Sequence, residues 1–245
     1  MTPDYKISIF MPAYNAGEHI LSVFERFSEG LWETINAVWI INDGSVDSTM
    51  EKITELSESN KKIKGVDLGK NRGYGNAVRI GLQKCKNDGC DFAVCLHSDG
   101  QYPPESILEF TEYMKNSGCN ILQGSRIASG TALSGGMPMY KLIAGKILTF
   151  FEKRVFGVSL TDFHSGFLLY DRKALNTIPF WRLSNSFDFD VEVIASGCAL
   201  NLKIDELPIP TRYADEKSYL NPLAYGLRVV WVMVKYLFNN YRRIQ

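Results

Sequence analysis

Short apolar runs alternate with stretches of helical period through the first half of the chain. Residues 7–11, 37–41, 63–68, 92–96 and 120–123 each read as a buried strand, bounded by turn-forming Gly, Pro, Asn, Asp or Ser. Between them lie amphipathic segments. One runs to about Phe27, one covers 49–57 behind the capping residues Asp47 and Ser48, and one follows Gly73 to about Cys85. Strands separated by helices of this length predict βαβ units and a largely parallel sheet. After about residue 125 the rhythm changes. A glycine-rich irregular loop over 129–138 leads into a long helix at 139–156. A strand at 167–170, a helix at 190–198 and a last strand at 203–207 follow, and a loop over 208–221 leads to a C-terminal helix.

Three of the predicted strands end in small polar turns: Pro12-Ala13-Tyr14-Asn15, Asn42-Asp43-Gly44-Ser45 and His97-Ser98-Asp99-Gly100-Gln101. In a parallel sheet the carboxyl ends share one edge, so these turns converge on one crevice. The last is the richest in chemistry. His97, Asp99 and Gln101 alternate, so an extended backbone would point all three the same way. Gly100 permits a tight turn, and Pro103-Pro104 opens the next helix with Glu105 in its first turn.

Bulk properties narrow the classes. A chain of 245 residues fits one large α/β domain or two small ones, and 27 basic against 27 acidic residues argues against a nucleic-acid partner held by a broad basic surface. Five cysteines without a CxxC pair read as reduced thiols of a cytosolic protein. Gly73-Tyr74-Gly75-Asn76-Ala77 lacks the third glycine of a dinucleotide fingerprint and follows the third strand, so nicotinamide binding is not expected. No signal-peptide pattern is visible, and no apolar run nears the ~20 residues needed to cross a bilayer. The expected location is cytoplasmic, at most peripheral to the inner face of the membrane. The aromatic residues of 139–156 and of the C-terminal helix are expected to pack as core, with a membrane-surface face as the alternative.

The segments PAYN, NDGSVDST, KNRGYGNAVRIGL and SDGQ-PPE, in this order and spacing, resemble the family 2 glycosyltransferases of GT-A fold. Within that family the chain is similar to dolichyl- and polyprenyl-phosphate sugar synthases and their soluble bacterial relatives. The similarity continues through Gly124-Ser125-Arg126, His164-Ser165-Gly166-Phe167 and residues 208–216, and so covers nearly the whole chain. It implies an α/β fold with a Rossmann-like, mostly parallel sheet flanked by helices. It also implies one domain over 1–245, with a nucleotide-sugar-binding half (1–125) and an acceptor half (126–245). The implied activity is inverting transfer of a sugar from a UDP- or GDP-linked donor to an acceptor in cell-surface glycan or glycolipid synthesis. A polyprenyl-phosphate acceptor at the membrane surface is the alternative, and a catalytically inactive nucleotide-sugar-binding module is the minor one.

The resemblance also implies roles. Pro12, Tyr14 and Glu18 would line the nucleoside pocket, Asp43 would bond the base or ribose, and Arg72 and the turn from Gly73 to Asn76 would border the nucleotide beside Ser98. Asp99 matches the second acid of the family's DxD element, which binds a divalent cation, Mn²⁺ or Mg²⁺, bridging the donor's phosphates. Its first acid is replaced here by His97, and a neutral imidazole tilts the preference toward Mn²⁺. Gln101 and His164 are further candidate ligands. Arg126, directly after a strand end, has the fork that suits bidentate phosphate binding. Asp188, Asp190 and Glu192 alternate as a helix begins, and would share one face if that segment were extended. Asp190 and Glu192 match the acidic positions of the acceptor-side helix, one as base and the other to orient it or to cap the helix. Arg212 and Lys217 belong to a loop expected to fold over bound donor.

Overall fold

The computed structural model describes residues 5–210 and 221–242. Among these, seven strands form one sheet: β1 (Ile7–Ala13), β2 (Ile35–Asn42), β3 (Ile63–Asp67), β4 (Phe92–Cys95), β5 (Ile121–Ser125), β6 (Leu168–Asp171) and β7 (Ile204–Pro208). Their order is β3-β2-β1-β4-β6-β5-β7. All pairings are parallel except those of β6, which runs antiparallel between β4 and β5. The direction of β6 could not be read in advance, because an apolar run looks the same from either end.

The helices are α1 (Ile20–Glu25), α2 (Glu29–Thr34), α3 (Thr49–Ser59), α4 (Tyr74–Asn87), α5 (Ile107–Ser117), α6 (Met139–Phe156), α7 (Arg172–Thr177), α8 (Phe189–Ala199) and α9 (Pro222–Leu237). Most bounds fall within two or three residues of expectation, and two short helices are additional. The Ser28 hydroxyl caps α2 by accepting from Leu31 N–H, and the Asp171 carboxylate caps α7 by accepting from Ala174 N–H. Six residues are too few to show a helical period, so neither helix was expected from the sequence.

Both faces of the sheet are covered, as a parallel sheet requires. All of β1 is buried. Ile7, Ile9 and Met11 pack with residues of α1, α2, α3 and α5, while Phe10 faces α4, α8 and Tyr170. Helix α8 is buried around almost its whole circumference, which explains its apolar run without amphipathic pattern.

Helices α6 and α9 lie against each other and cover α8. Their inward residues include Glu152 and Phe156 on α6, and Val229, Val232 and Met233 on α9. The expectation of ordinary core packing fails for their outer faces. Half or more of Met139, Tyr140, Ile143, Ile147, Phe150 and Phe151 is exposed on α6. On α9, Leu223, Leu227, Trp231 and Leu237 are each 60 % exposed or more. Two helices on one outer layer have more apolar residues than one α8 surface can cover. No helix among the described residues is long and apolar enough to cross a membrane.

Candidate active site

The carboxyl ends of β2, β1 and β4 lie side by side, at the point where the strand order turns back on itself. There they open into a cleft of about 1040 Å³, at the upper end of the ~300–1,000 Å³ typical of small-molecule sites. Pro12, Tyr14, Glu18 and Asp43 line its first side, with Tyr14 and Glu18 exposed at the rim. The Ser98 hydroxyl donates to the Pro12 carbonyl at 3.0 Å, tying the end of β1 to the turn after β4. Asp43 accepts from the backbone N–H groups of Arg72 (2.7 Å) and Gly73 (3.0 Å), so its carboxylate shapes the 71–73 turn. Burial raises its pKa, against the pull of those two N–H groups and the Arg72 charge. Gly73 borders the cleft, whereas the Arg72 residue is exposed outside its wall.

His97, Asp99 and Gln101 all line the cleft, but not by strand alternation. Strand β4 stops at Cys95 and the backbone turns, with Gly100 at a φ of 78°. Asp99 Oδ1 accepts from the Gln101 N–H at 3.0 Å, which stabilises that turn. Burial, helped by the Arg126 charge, holds His97 below its ordinary pKa despite Asp99, so the ring is neutral. An imidazole beside a carboxylate and an amide oxygen is a donor set that suits a divalent cation. Yet no three His, Cys, Asp or Glu side chains among the described residues cluster to hold one. The arrangement fits a cation shared with a ligand's phosphates, with one or two protein ligands, rather than a cage of protein groups.

Across the cleft stands Asp190, in the first turn of α8. Its Oδ2 accepts from the Tyr74 hydroxyl at 2.8 Å, and the same hydroxyl lies 3.0 Å from His97 Nε2. Burial pushes the Asp190 pKa up to about 7, the Tyr74 bond opposing and Asp188 adding to the rise. Glu192 has a different place. The segment is already helical at Phe189, and two residues on a helix are about 200° apart, so the two acids diverge. Buried Glu192 accepts from Ser184 N–H, from Lys235 Nζ and from the Tyr241 hydroxyl at 2.7 Å, away from the cleft. Asp188 accepts from the Ser184 hydroxyl at 2.9 Å and lies 3.6 Å from Arg228. The shared face that an extended segment would have given these three acids does not form.

Arg126, just after β5, lies over the Tyr102 ring with Nε 3.5 Å from Asp162, and donates to the His164 carbonyl at 3.3 Å. His164 Nδ1 is 3.0 Å from the Tyr225 hydroxyl of α9, and Nε2 is 3.3 Å from Glu152 of α6. Burial opposes protonation of His164, but Glu152 and Asp162 outweigh it and raise the pKa. His164 lines the cleft with Nδ1 bonded to Tyr225 and Nε2 within ion-pair distance of Glu152, so it joins α6 to α9 and a cation would compete with these neighbours to reach it. Arg212 and Lys217 lie outside the described residues. The sequence placed Tyr74 only within the 73–76 turn, and reading by residue type missed Tyr225 and Glu152. Only Tyr74 carried a signal, as the large residue between two glycines.

A mostly parallel sheet with a cleft at its carboxyl edge and acids on both sides of that cleft has the architecture of a glycosyltransferase of GT-A fold. The family model for glycosyl transferase family 2 matches residues 8–178, and the chain belongs to that family. It is 27 % identical over 224 residues to the UDP-N-acetylglucosamine–dolichyl-phosphate N-acetylglucosaminyltransferase of Methanococcus voltae, covering 86 % of this chain and 88 % of that one. It is 32 % identical over 141 residues to the dolichol-phosphate mannosyltransferase of Pyrococcus furiosus, covering 58 % of this chain but 38 % of the relative. Among solved structures, glucosyl-3-phosphoglycerate synthase of Mycobacterium tuberculosis, in complex with Mn²⁺, UDP and phosphoglyceric acid, superimposes with a TM-score of 0.72 at 15 % identity. The match covers 95 % of this chain and 78 % of that one, and shows a shared fold.

Proposed function

We propose that this glycosyltransferase moves a sugar, with inversion, from a UDP- or GDP-linked donor to a phosphate carried on a polyprenyl chain, at a membrane surface. The observation that carries the reading is the continuity of the cleft with the exposed apolar faces of α6 and α9. Tyr140 belongs to both, and Pro222 and Tyr225 bring α9 to the cleft wall. Exposed Lys146 and Arg154 add positive charge to α6, which favours an anionic lipid surface. The two named relatives, whose printed names specify dolichyl-type acceptors, support the acceptor class. A saccharide acceptor would leave those apolar faces without a role. The enzyme would act as one domain on the cytoplasmic side, peripheral to the membrane.

In this reading Pro12, Tyr14, Glu18 and Asp43 receive the nucleoside, while His97, Asp99 and Gln101 face the donor's phosphates. Mn²⁺ or Mg²⁺ held there would neutralise charge on the departing diphosphate. Arg126 grips the acceptor phosphate, and its ion pair with Asp162 keeps the fork in place. A phosphate monoester titrates near pH 6, so most of the acceptor arrives ionised. Asp190, with a pKa of about 7, takes the remaining proton as the acceptor oxygen attacks the sugar carbon. The apolar walls contributed by Leu142, Leu148 and Tyr225 limit water, and so hydrolysis of the donor.

The test is transfer from radiolabelled UDP- and GDP-sugars, with Mn²⁺, to a polyprenyl phosphate in vesicles and to free oligosaccharides. Label in the lipid phase with one nucleotide class supports the reading. Label only on a water-soluble saccharide would overturn it.

A further inference from the structure

The geometry points to Tyr74 as a positioning residue that joins the two sides of the cleft. Its hydroxyl holds the Asp190 carboxylate and fixes His97 as the tautomer with the proton on Nε2, leaving Nδ1 as the ring's lone-pair nitrogen. Its part in catalysis rests on the function proposed above, while the tautomer follows from the hydrogen bonds alone.

A phenol has one proton to give. Two acceptors compete for it, Asp190 Oδ2 at 2.8 Å and His97 Nε2 at 3.0 Å. An ionised carboxylate is the stronger acceptor, so the proton goes to Asp190. The phenolic oxygen can then only accept from His97, which requires a hydrogen on Nε2. A neutral imidazole with hydrogen on Nε2 has its lone pair on Nδ1, the nitrogen that can face a cation or a phosphate-bound proton.

The surrounding backbone is built to permit this contact. Tyr74 opens α4 directly after Gly73, whose φ of 95° is open to glycine and strained for other residues. A Cβ on Gly73 would also lie 2.3 Å from the Asn185 carbonyl oxygen. The Tyr74 ring stacks on Phe187 at 5.5 Å and meets the His97 ring edge-on at 5.4 Å. A Cβ on Gly166 would come within 2.6 Å of His97 Nε2 and 3.0 Å of the Tyr74 hydroxyl, so glycine leaves room for that bond. Gly73-Tyr74 and His164-Ser165-Gly166, far apart in sequence, are thereby explained by one hydrogen-bonded chain.

The chain contains three histidines, so ¹⁵N-labelled protein gives a resolvable set of imidazole signals in a long-range ¹H–¹⁵N correlation. Substitution of His19 and of His164 assigns them. At pH 8, without metal or nucleotide, His97 is expected as the Nε2–H tautomer. In Tyr74→Phe, which keeps the ring and removes the hydroxyl, that preference is expected to collapse to a mixture. The variant should also lose kcat by on the order of 10- to 100-fold, with the donor KM within about twofold. An Nδ1–H tautomer in the wild type overturns the proposal, even if the variant does not fold. So does a Tyr74→Phe enzyme with unchanged tautomer and unchanged kcat. If the wild type transfers to no lipid phosphate, the acceptor reading fails, while the tautomer still decides the role of Tyr74.

Discussion

Asp190 and Glu192 stand two residues apart and point to opposite sides of α8. Asp190 faces the cleft and bonds the Tyr74 hydroxyl, whereas Glu192 is buried among Ser184, Lys235 and Tyr241. The two acids should therefore fail in different ways. Asp190→Asn is expected to remain folded and to lose on the order of 10- to 100-fold in kcat, less than a full general-base deletion because most of the acceptor arrives ionised. Glu192→Gln should keep more of its turnover but leave Lys235 without its charge partner. Its cost in urea unfolding is expected at about 1–3 kcal/mol. Equal loss of kcat in both, with no change in stability, would contradict these separate roles.

Asp190 also sets a pH dependence of stability. Its pKa is about 7 in the fold and 3.8 when unperturbed, so the folded state binds this proton more tightly. The associated stabilisation is complete below about pH 4 and is lost as pH rises through about 7. Asp190→Asn never carries that charge. Its melting temperature is expected to exceed that of the wild type at pH 8, with the gap narrowing toward pH 4. A gap that widens on acidification would show the sign to be wrong.

The cation should depend on the nucleotide. With no cluster among the described residues able to hold it alone, Mn²⁺ by itself is expected to move the thermal transition little. With UDP or GDP at 100 times its Kd, the complex should gain about 2.7 kcal/mol. His97→Asp is expected to shift the preference from Mn²⁺ toward Mg²⁺, read as the ratio of transfer rates with the two ions. An unchanged ratio would remove His97 from the cation's surroundings.

The outer faces of α6 and α9 should bind lipid rather than support the fold. Phe150→Asp with Trp231→Asp replaces two side chains that are half or more exposed, so the unfolding midpoint is expected to change little. Co-sedimentation with anionic vesicles should fall several-fold, since apolar contact is lost and like charge is added. A strongly destabilised double variant would mean that these residues pack inside the protein. Unchanged sedimentation would argue against a membrane-facing role.

Much of this arrangement was legible in the chain. The strands were visible as short apolar runs, and the turns after β1, β2 and β4 as polar residues at their carboxyl ends. Parallel pairing then brings those turns to one edge, because strands running the same way end on the same side. Local chemistry sufficed to place Pro12, Asp43, His97, Asp99 and Arg126 at strand ends. Other features depend on which segments meet. The antiparallel course of β6, the divergence of Asp190 from Glu192, and the engagement of His164 by Glu152 and Tyr225 are all decided by packing between distant elements. The exposure of Phe150 and Trp231 is of the same kind, since it depends on how many apolar helices compete for one buried surface. The bond from Tyr74 to both His97 and Asp190 is the clearest case. Residue type states that each can form a hydrogen bond, and only the fold, by laying α4 between the turn after β4 and the start of α8, makes them partners.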